Sequence, residues 1–295
     1  MKFTRIFVFF LVALVGMGAG CAIPPKHDLT KPKVGATIFP IYDLVRIVGG
    51  NDIETELILP PGASPHTYEP APSVIKSLQG SSLIFQIGHG LDQWTAPIAS
   101  SIPGVKLVTL DKNIQLRSAT DTDEPGSDSF DPHYWMDPTN GYIMLDTIVE
   151  ELSKLDPVHA LDFADRAQKF KIQLEKKDLE WKDILSQLEN KDFITFHDAF
   201  MYFADHFQLH VVATFEPFPG REPTPQYLIN LQKEIKKYTV KTLYMEPQLA
   251  GDLLQTFAHD NGLTVAILDP EGSKNSTTYL DMIDYNVRTF AANQR

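Results

Sequence analysis

The chain has 295 residues, 43% hydrophobic and 22% charged, the balance of a globular protein with length for two domains. Its formal charge is −12, and −14 without Lys2 and Arg5 of the first twenty residues. That sign argues against nucleic acid, whose phosphates need Lys and Arg, and suits a protein that attracts cations.

Lys2 and Arg5 precede an apolar run, Ile6 to Val15, and the small residues Gly16, Gly18, Ala19 and Gly20. Residues 1–20 therefore read as a secretory signal, too short for a membrane span. Cys21 follows at once and is the only cysteine. Its place after Ala19-Gly20 resembles a bacterial lipobox, whose sulfur receives a lipid, although Gly18 stands where Leu is usual. The other reading is plain cleavage near Ala19 with a leftover thiol. Residues 21–32 contain Pro24, Pro25 and Pro32 and read as a tether.

From Lys33 short apolar or β-branched runs alternate with helical stretches. The strands are expected at Val34–Phe39, Ile53–Leu59, Leu83–Ile87 and Lys106–Leu110. The helices between them are expected at Ile41–Val48, Ser73–Leu78 and Leu91–Ser100. This alternation predicts a parallel sheet with helices on its faces. A polar acidic loop, Asp111–Asp131, leads to a helix at Tyr142–Leu155. Asp156-Pro157 is a cap followed by a first-turn proline. It opens the longest helical pattern, Val158 to about Leu188, with apolar residues from Leu161 and Ala164 to Leu179 and Leu188. Such a helix would be roughly 45 Å long. Strands at Phe193–Phe196, His210–Thr214, Thr242–Met245 and Thr264–Leu268 then alternate with helices at Ala199–His206, Gln226–Lys236, Leu249–Asn261 and Tyr279–Ala292. The fold class is α/β: a lobe over 33–156, a linking helix over 157–189 and a second lobe over 190–295.

Open parallel sheets bind ligands beyond the carboxyl ends of their strands. Four metal-capable residues fall there. His66 lies in the proline-rich loop Pro60 to Pro70, and His133 in Asp131-Pro132-His133-Tyr134-Trp135-Met136-Asp137-Pro138. His197 follows the strand Phe193–Phe196, and Asp269 follows Thr264–Leu268. Three imidazoles and a carboxylate form a zinc-type set that other first-row ions also accept. No single spacing here is a metal motif. Alone, His66 also reads as a surface loop residue, His133 as a structural hydrogen-bonder, His197 as a helix start and Asp269 as a turn or cap.

The surrounding phrases add to this. They are Pro61-Gly62-Ala63-Ser64-Pro65-His66-Thr67-Tyr68-Glu69-Pro70, Gly88-His89-Gly90-Leu91-Asp92-Gln93-Trp94, Asp131 to Pro138, Phe196-His197-Asp198-Ala199-Phe200, Gly220-Arg221-Glu222-Pro223-Thr224-Pro225 and Leu268-Asp269-Pro270. In this order the chain resembles the metal-binding substrate-binding proteins of ABC importers, the cluster that serves zinc and manganese. The resemblance implies two α/β lobes joined by one long helix, a metal between the lobes, and ligands at His66, His133, His197 and Asp269. Manganese-selective members commonly have glutamate where this chain has His197, so three histidines resemble the zinc type, and imidazole shifts preference the same way. Two features depart from that type. The loop before His133 is acidic and lacks histidine, and a disulfide is impossible with one cysteine.

Glu246, after the strand Thr242–Met245, is a candidate hydrogen-bond partner of a ligand or an occasional ligand. Glu222 is a cap, an inter-lobe contact or a ligand's partner. His89 is a surface or supporting residue, and His27, His159, His206, His210 and His259 lack a loop context. Asp121, Asp123, Glu124 and Asp128 form a solvated acidic loop or a weak cation collector. Trp94, Trp135 and Trp181 are expected to pack. The expected function is capture of Zn2+, or alternatively Mn2+, for an ABC import permease. It would be carried out by a secreted, lipid-anchored monomer at the cell envelope, with no nucleic-acid partner and no enzymatic role. The alternatives of another class are a zinc hydrolase with Glu246 or Glu271 as general base and a surface adhesin.

Overall fold

The computed structural model describes residues 31–119, 130–217, 220–248, 252–272 and 276–294. The signal segment, Cys21, His27 and the acidic residues Asp121, Asp123, Glu124 and Asp128 lie outside the described residues.

The first half runs β1 (Lys33–Ala36), α1 (Phe39–Gly49), β2 (Glu54–Leu57), α2 (Pro72–Ser77), β3 (Leu83–Gln86), α3 (Thr95–Ser100), β4 (Lys106–Thr109) and α4 (Pro138–Leu155). After α5 (Ala160–Ser186) come β5 (Asp192–Thr195), α6 (Met201–Phe207), β6 (His210–Thr214), α7 (Pro225–Tyr238), β7 (Thr242–Met245), α8 (Asp252–Asp260), β8 (Thr264–Ile267) and α9 (Tyr279–Asn293). The two sheets have the orders β2-β1-β3-β4 and β6-β5-β7-β8, and their pairings are parallel. Each order reverses direction once, between β1 and β3 and between β5 and β7. That reversal opens a crevice at the carboxyl edge of an open sheet.

Capping residues set several helix starts. Asp137 accepts from the Thr139 amide ahead of α4, Thr224 from Tyr227 ahead of α7, and Thr278 from Asp281 ahead of α9. Each side chain satisfies an amide that the helix leaves unpaired. Asp156 caps a 3-10 turn, Pro157–His159, and α5 proper begins only at Ala160. α3 starts four residues later than its pattern suggested. Gly88, His89 and Gly90 have φ near +79°, +50° and +81°, and Asp92 accepts from the Ile87 and Gly88 amides and the Thr37 hydroxyl. The phrase Gly88–Trp94 is thus a turn built around a buried carboxylate.

The 27-residue α5 is about 40 Å long at ~1.5 Å per residue. It buries Phe163, Ala167, Phe170, Leu174, Trp181 and Leu185, a stripe of three- and four-residue steps with one seven-residue step. Leu161 and Leu179 point outward, at 86% and 64% exposure, because they fall off this stripe. The helix packs on α1, α4 and α9. One apolar core therefore runs from Val34 and Ile41 through Phe163 and Trp181 to Phe193, Tyr244 and Phe290. Buried hydrogen bonds join the two halves as well. The Tyr279 amide donates to Asp43 Oδ2 (2.8 Å), the Trp135 indole to the Pro270 carbonyl (2.8 Å), and the Tyr279 hydroxyl to the Trp135 carbonyl (2.7 Å).

Candidate metal centre

Three histidines from distant loops converge beyond the strand ends. His66 sits in the β2–α2 loop, whose Pro65 carbonyl accepts from the Trp94 indole at 3.0 Å, with the Tyr68 ring edge-on to Trp94. His133 precedes a buried 3-10 turn, Tyr134–Met136. The Tyr134 hydroxyl ties that turn to the Ile87 carbonyl. His197 follows β5 by two residues, and Glu246 directly follows β7. These strands are hydrogen-bonded neighbours, so the two side chains meet at the switch point. The His133 Nε2 lies 3.2 Å from His66 Nε2 and 3.3 Å from His197 Nε2. Donor atoms of all three histidines fall within 4.8 Å of one another. Nitrogens held ~2.0–2.1 Å from a tetrahedral zinc would be about 3.3–3.4 Å apart. The imidazoles thus stand close to the spacing that a shared ion requires.

Carboxylates fix which nitrogen each ring presents. His133 Nδ1 lies 2.8 Å from Asp131 Oδ1, which also accepts the His133 amide at 2.9 Å. His197 Nδ1 lies 2.6 Å from Glu246 Oε1. A carboxylate oxygen only accepts, so each Nδ1 carries a proton and each Nε2 is the atom turned toward the cluster. Burial holds His66 well below the usual imidazole range, and its two histidine neighbours push the same way. His197 differs. Burial opposes its charge, yet the Glu246 carboxylate prevails and raises it to about 9.

Asp269 is fully buried. Its amide donates to Asn286 Oδ1 (2.7 Å), and its carbonyl accepts from Asn286 Nδ2 (2.8 Å), which anchors it to α9. Its Oδ1 accepts from Gln248 Nε2 and the Glu271 amide, both at 3.1 Å, whereas Oδ2 is buried without a hydrogen-bond partner. Asp269 lies outside the group whose donor atoms all approach within 4.8 Å. An orphaned carboxylate oxygen at a strand end is what a cation would satisfy.

A family model described as "Zinc-uptake complex component A periplasmic" matches residues 34–293. The chain belongs to this ZnuA family. The zinc-binding protein AdcA of Streptococcus pyogenes is 27% identical over 260 residues, 81% of this chain and 50% of its own length. The chain thus spans about half the length of the AdcA relatives it matches. The manganese-binding lipoprotein MntA of Halalkalibacterium halodurans is 25% identical over 295 residues, covering 97% of this chain and 96% of MntA. The crystal structure of ZnuA aligns with a TM-score of 0.81 at 25% identity, over 90% of this chain and 100% of the other. A mutant of the laminin-binding adhesin of Streptococcus agalactiae aligns at 0.78 and 26% identity, over 89% and 99%.

In this ZnuA-family chain the remaining singled-out residues lie elsewhere. Glu222 is exposed in the segment before α7. His89 pairs with Asp111 at 2.9 Å, His210 with Asp192 and His259 with Asp260. His206 bridges Asp137 and Asp178. His159 joins Asp52 and Asp162 in a second acidic group, where Arg166 already pairs with Asp52 at 2.9 Å. Three supporting residues escaped the sequence reading. Asp131 stands two places before His133, a local signal. Gln248 and Asn286 reach Asp269 from other elements, and no spacing announces them. Among the described residues no helix is long and apolar enough to cross a membrane.

Proposed function

We propose that the chain captures a divalent metal ion, with Zn2+ the main cargo, and delivers it to the permease of an ABC importer. His66, His133 and His197 supply Nε2 donors, and Asp269 Oδ2 supplies the fourth. The observation that carries this reading is the approach of His133 Nε2 to within 3.2 Å and 3.3 Å of the other two. Three imidazole Nε2 atoms from separate loops meet at one point, where a cation can take all of them as donors. A closed four-donor shell leaves no position for an activated water, so the site suits capture rather than hydrolysis. The zinc-binding names of the AdcA relatives support zinc. The MntA relative supports Mn2+ as the second reading.

The lobes are assigned to 33–156 and 190–295, with 157–189 linking them. Residues 1–20 are assigned as a signal and Cys21 as a lipid anchor, which places the protein outside the cytoplasm at the membrane surface. Two relatives are named as lipoproteins, in keeping with that assignment. The test is a chelator-competition titration of Zn2+ on the wild type and His197→Ala. Loss of a ligand should exceed the ~10–100-fold that outer partners carry. Unchanged affinity would sink the ligand set.

A further inference from the structure

Helix α6 brackets the segment that carries His133. Tyr202 and His206 share one face of that helix as an i, i+4 pair, and each reaches one end of the segment. Tyr202 is buried. Its hydroxyl accepts from the Arg117 amide at 2.8 Å and donates to the Asp131 carbonyl at 3.2 Å. The Asp131 amide in turn donates to the Arg117 carbonyl at 3.0 Å, beside the antiparallel bridge of Ser118 and Phe130. At the other end, His206 Nδ1 lies 2.8 Å from Asp137 Oδ1. Between the two ends α6 packs on the 3-10 turn Tyr134–Met136.

Asp131 passes this hold to the cluster. Its carbonyl takes the Tyr202 hydroxyl, while its Oδ1 takes the His133 amide and faces His133 Nδ1. The same helix starts at Met201, one turn beyond His197. Helix α6 is thus tied by the chain to one imidazole, and by hydrogen bonds to the segment that bears another from the first half of the molecule. The 3.3 Å between His133 Nε2 and His197 Nε2 is spanned by this short buried path.

We propose that Tyr202 is a positioning residue for metal capture: through Asp131 it fixes the distance between His133 Nε2 and His197 Nε2, and with it the size of ion that the histidines accept. The inference rests on the metal-capture reading and deepens it. The spacing suits four-coordinate zinc. A larger ion in the same geometry has longer bonds and needs the nitrogens further apart, so a clamp at this spacing disfavours it. Without the hydroxyl the ring still packs, but the Asp131 carbonyl and the Arg117 amide lose their shared partner. The His133 segment is then free to shift relative to His197.

The test compares the purified wild type with Tyr202→Phe, which keeps the ring and removes only the hydroxyl. A control, Trp181→Phe, removes the bond to Asp284 at the α5–α9 seam. Dissociation constants are measured for Zn2+ and for Cd2+, a larger ion that the same donors can take, and thermal melts record the stability that each variant loses. Zn2+ affinity should fall about tenfold in Tyr202→Phe, the low end of what the partners of ligating histidines carry. Cd2+ affinity should fall less, so that the preference for Zn2+ narrows. Trp181→Phe should lose stability and keep the wild-type preference. An unchanged preference in Tyr202→Phe, or the same narrowing in Trp181→Phe, overturns the proposal. His197→Ala separates the two levels of inference. If it leaves metal binding intact, the capture reading falls and this one with it. If it abolishes binding while Tyr202→Phe matches the wild type, only this proposal falls.

Discussion

Glu246→Gln should change metal affinity by an amount that depends steeply on pH. The Glu246 carboxylate, acting against burial, raises His197 to about 9, and a protonated imidazole cannot bind metal. At pH 7 the ion must displace a proton held about two units above the solution pH. At ~1.4 kcal/mol per unit this costs on the order of 3 kcal/mol, roughly 100-fold in apparent affinity. The penalty shrinks as pH rises and vanishes above about 9. In the metal-bound state the same carboxylate works in favour of binding, because it orients the ring and strengthens Nε2 as a donor. Losing such a partner weakens a metal site by about 10–100-fold. Glu246→Gln removes both effects. Wild type and variant should bind Zn2+ with comparable apparent affinity at pH 7, and the wild type should bind about 10–100-fold more tightly at pH 9. Chelator competition at pH 7, 8 and 9 reads the ratio directly. A ratio that stays constant across that range would refute the reasoning.

His206 is held between Asp137 at 2.8 Å and Asp178 at 2.5 Å. Burial opposes its charge, but the two carboxylates raise it above the ordinary value. Its folded value exceeds the unfolded ~6.5, so its contribution is complete below that pH and is lost as pH rises through the folded value. The melting-temperature gap between the wild type and His206→Gln should be widest near pH 6 and narrow toward pH 9; a gap that widens with pH reverses the sign and defeats the assignment. Trp181 is fully buried, and its indole donates to Asp284 at 3.0 Å across the α5–α9 seam. Trp181→Ala should cost about 3–5 kcal/mol in urea unfolding, and a loss under about 1 kcal/mol would remove that seam from the core. Gly272 has φ +79°, and a Cβ there would come within 2.3 Å of the Phe39 ring. Gly272→Ala should destabilise the protein by about 1–3 kcal/mol and weaken metal binding by shifting the Asp269–Glu271 turn, measured by thermal melts and titration together.

Much of the fold was legible because parallel β-α alternation has few solutions. Each strand lies in a short apolar or β-branched run, and the described strands begin within about a residue of the expected positions. The rest depended on contacts that sequence spacing does not encode. The linking helix contains more apolar residues than one face can bury, so its phase was open. Tertiary packing selected Phe163 and Trp181 and left Leu161 and Leu179 in solvent. α3 lost its first turn to Asp92, whose partners Thr37, Ile87 and Gly88 come from two loops. At the site, the position of His66, His197 and Asp269 just beyond strands made them candidates. The convergence of His66, His133 and His197 needed both sheets and could not be read from either half alone. The Glu246–His197 bond follows from the β5–β7 pairing, a non-sequential neighbour relation that alternation does not reveal.

The shared core also constrains how such a site can open. A clam-shell motion needs a hinge across which few contacts run. Here α5 is packed along its length by α1, α4 and α9, and the core passes through that layer without a break. Separating the halves would expose Trp181 and Phe163 and break the Trp135–Pro270 and Tyr279–Asp43 bonds. Each buried aromatic contributes about 1.5–3 kcal/mol and each bond about 0.5–1.5 kcal/mol, so together they approach the entire stability of a typical domain. The proposed ligands, by contrast, sit on loops beyond the strand ends, where His66 is held by the Pro65–Trp94 bond and packing around it. Loop displacement therefore costs far less than lobe separation. On the metal-capture proposal, an ion would therefore enter and leave by displacement of the β2–α2 loop against the His133–His197 pair rather than by separation of the halves.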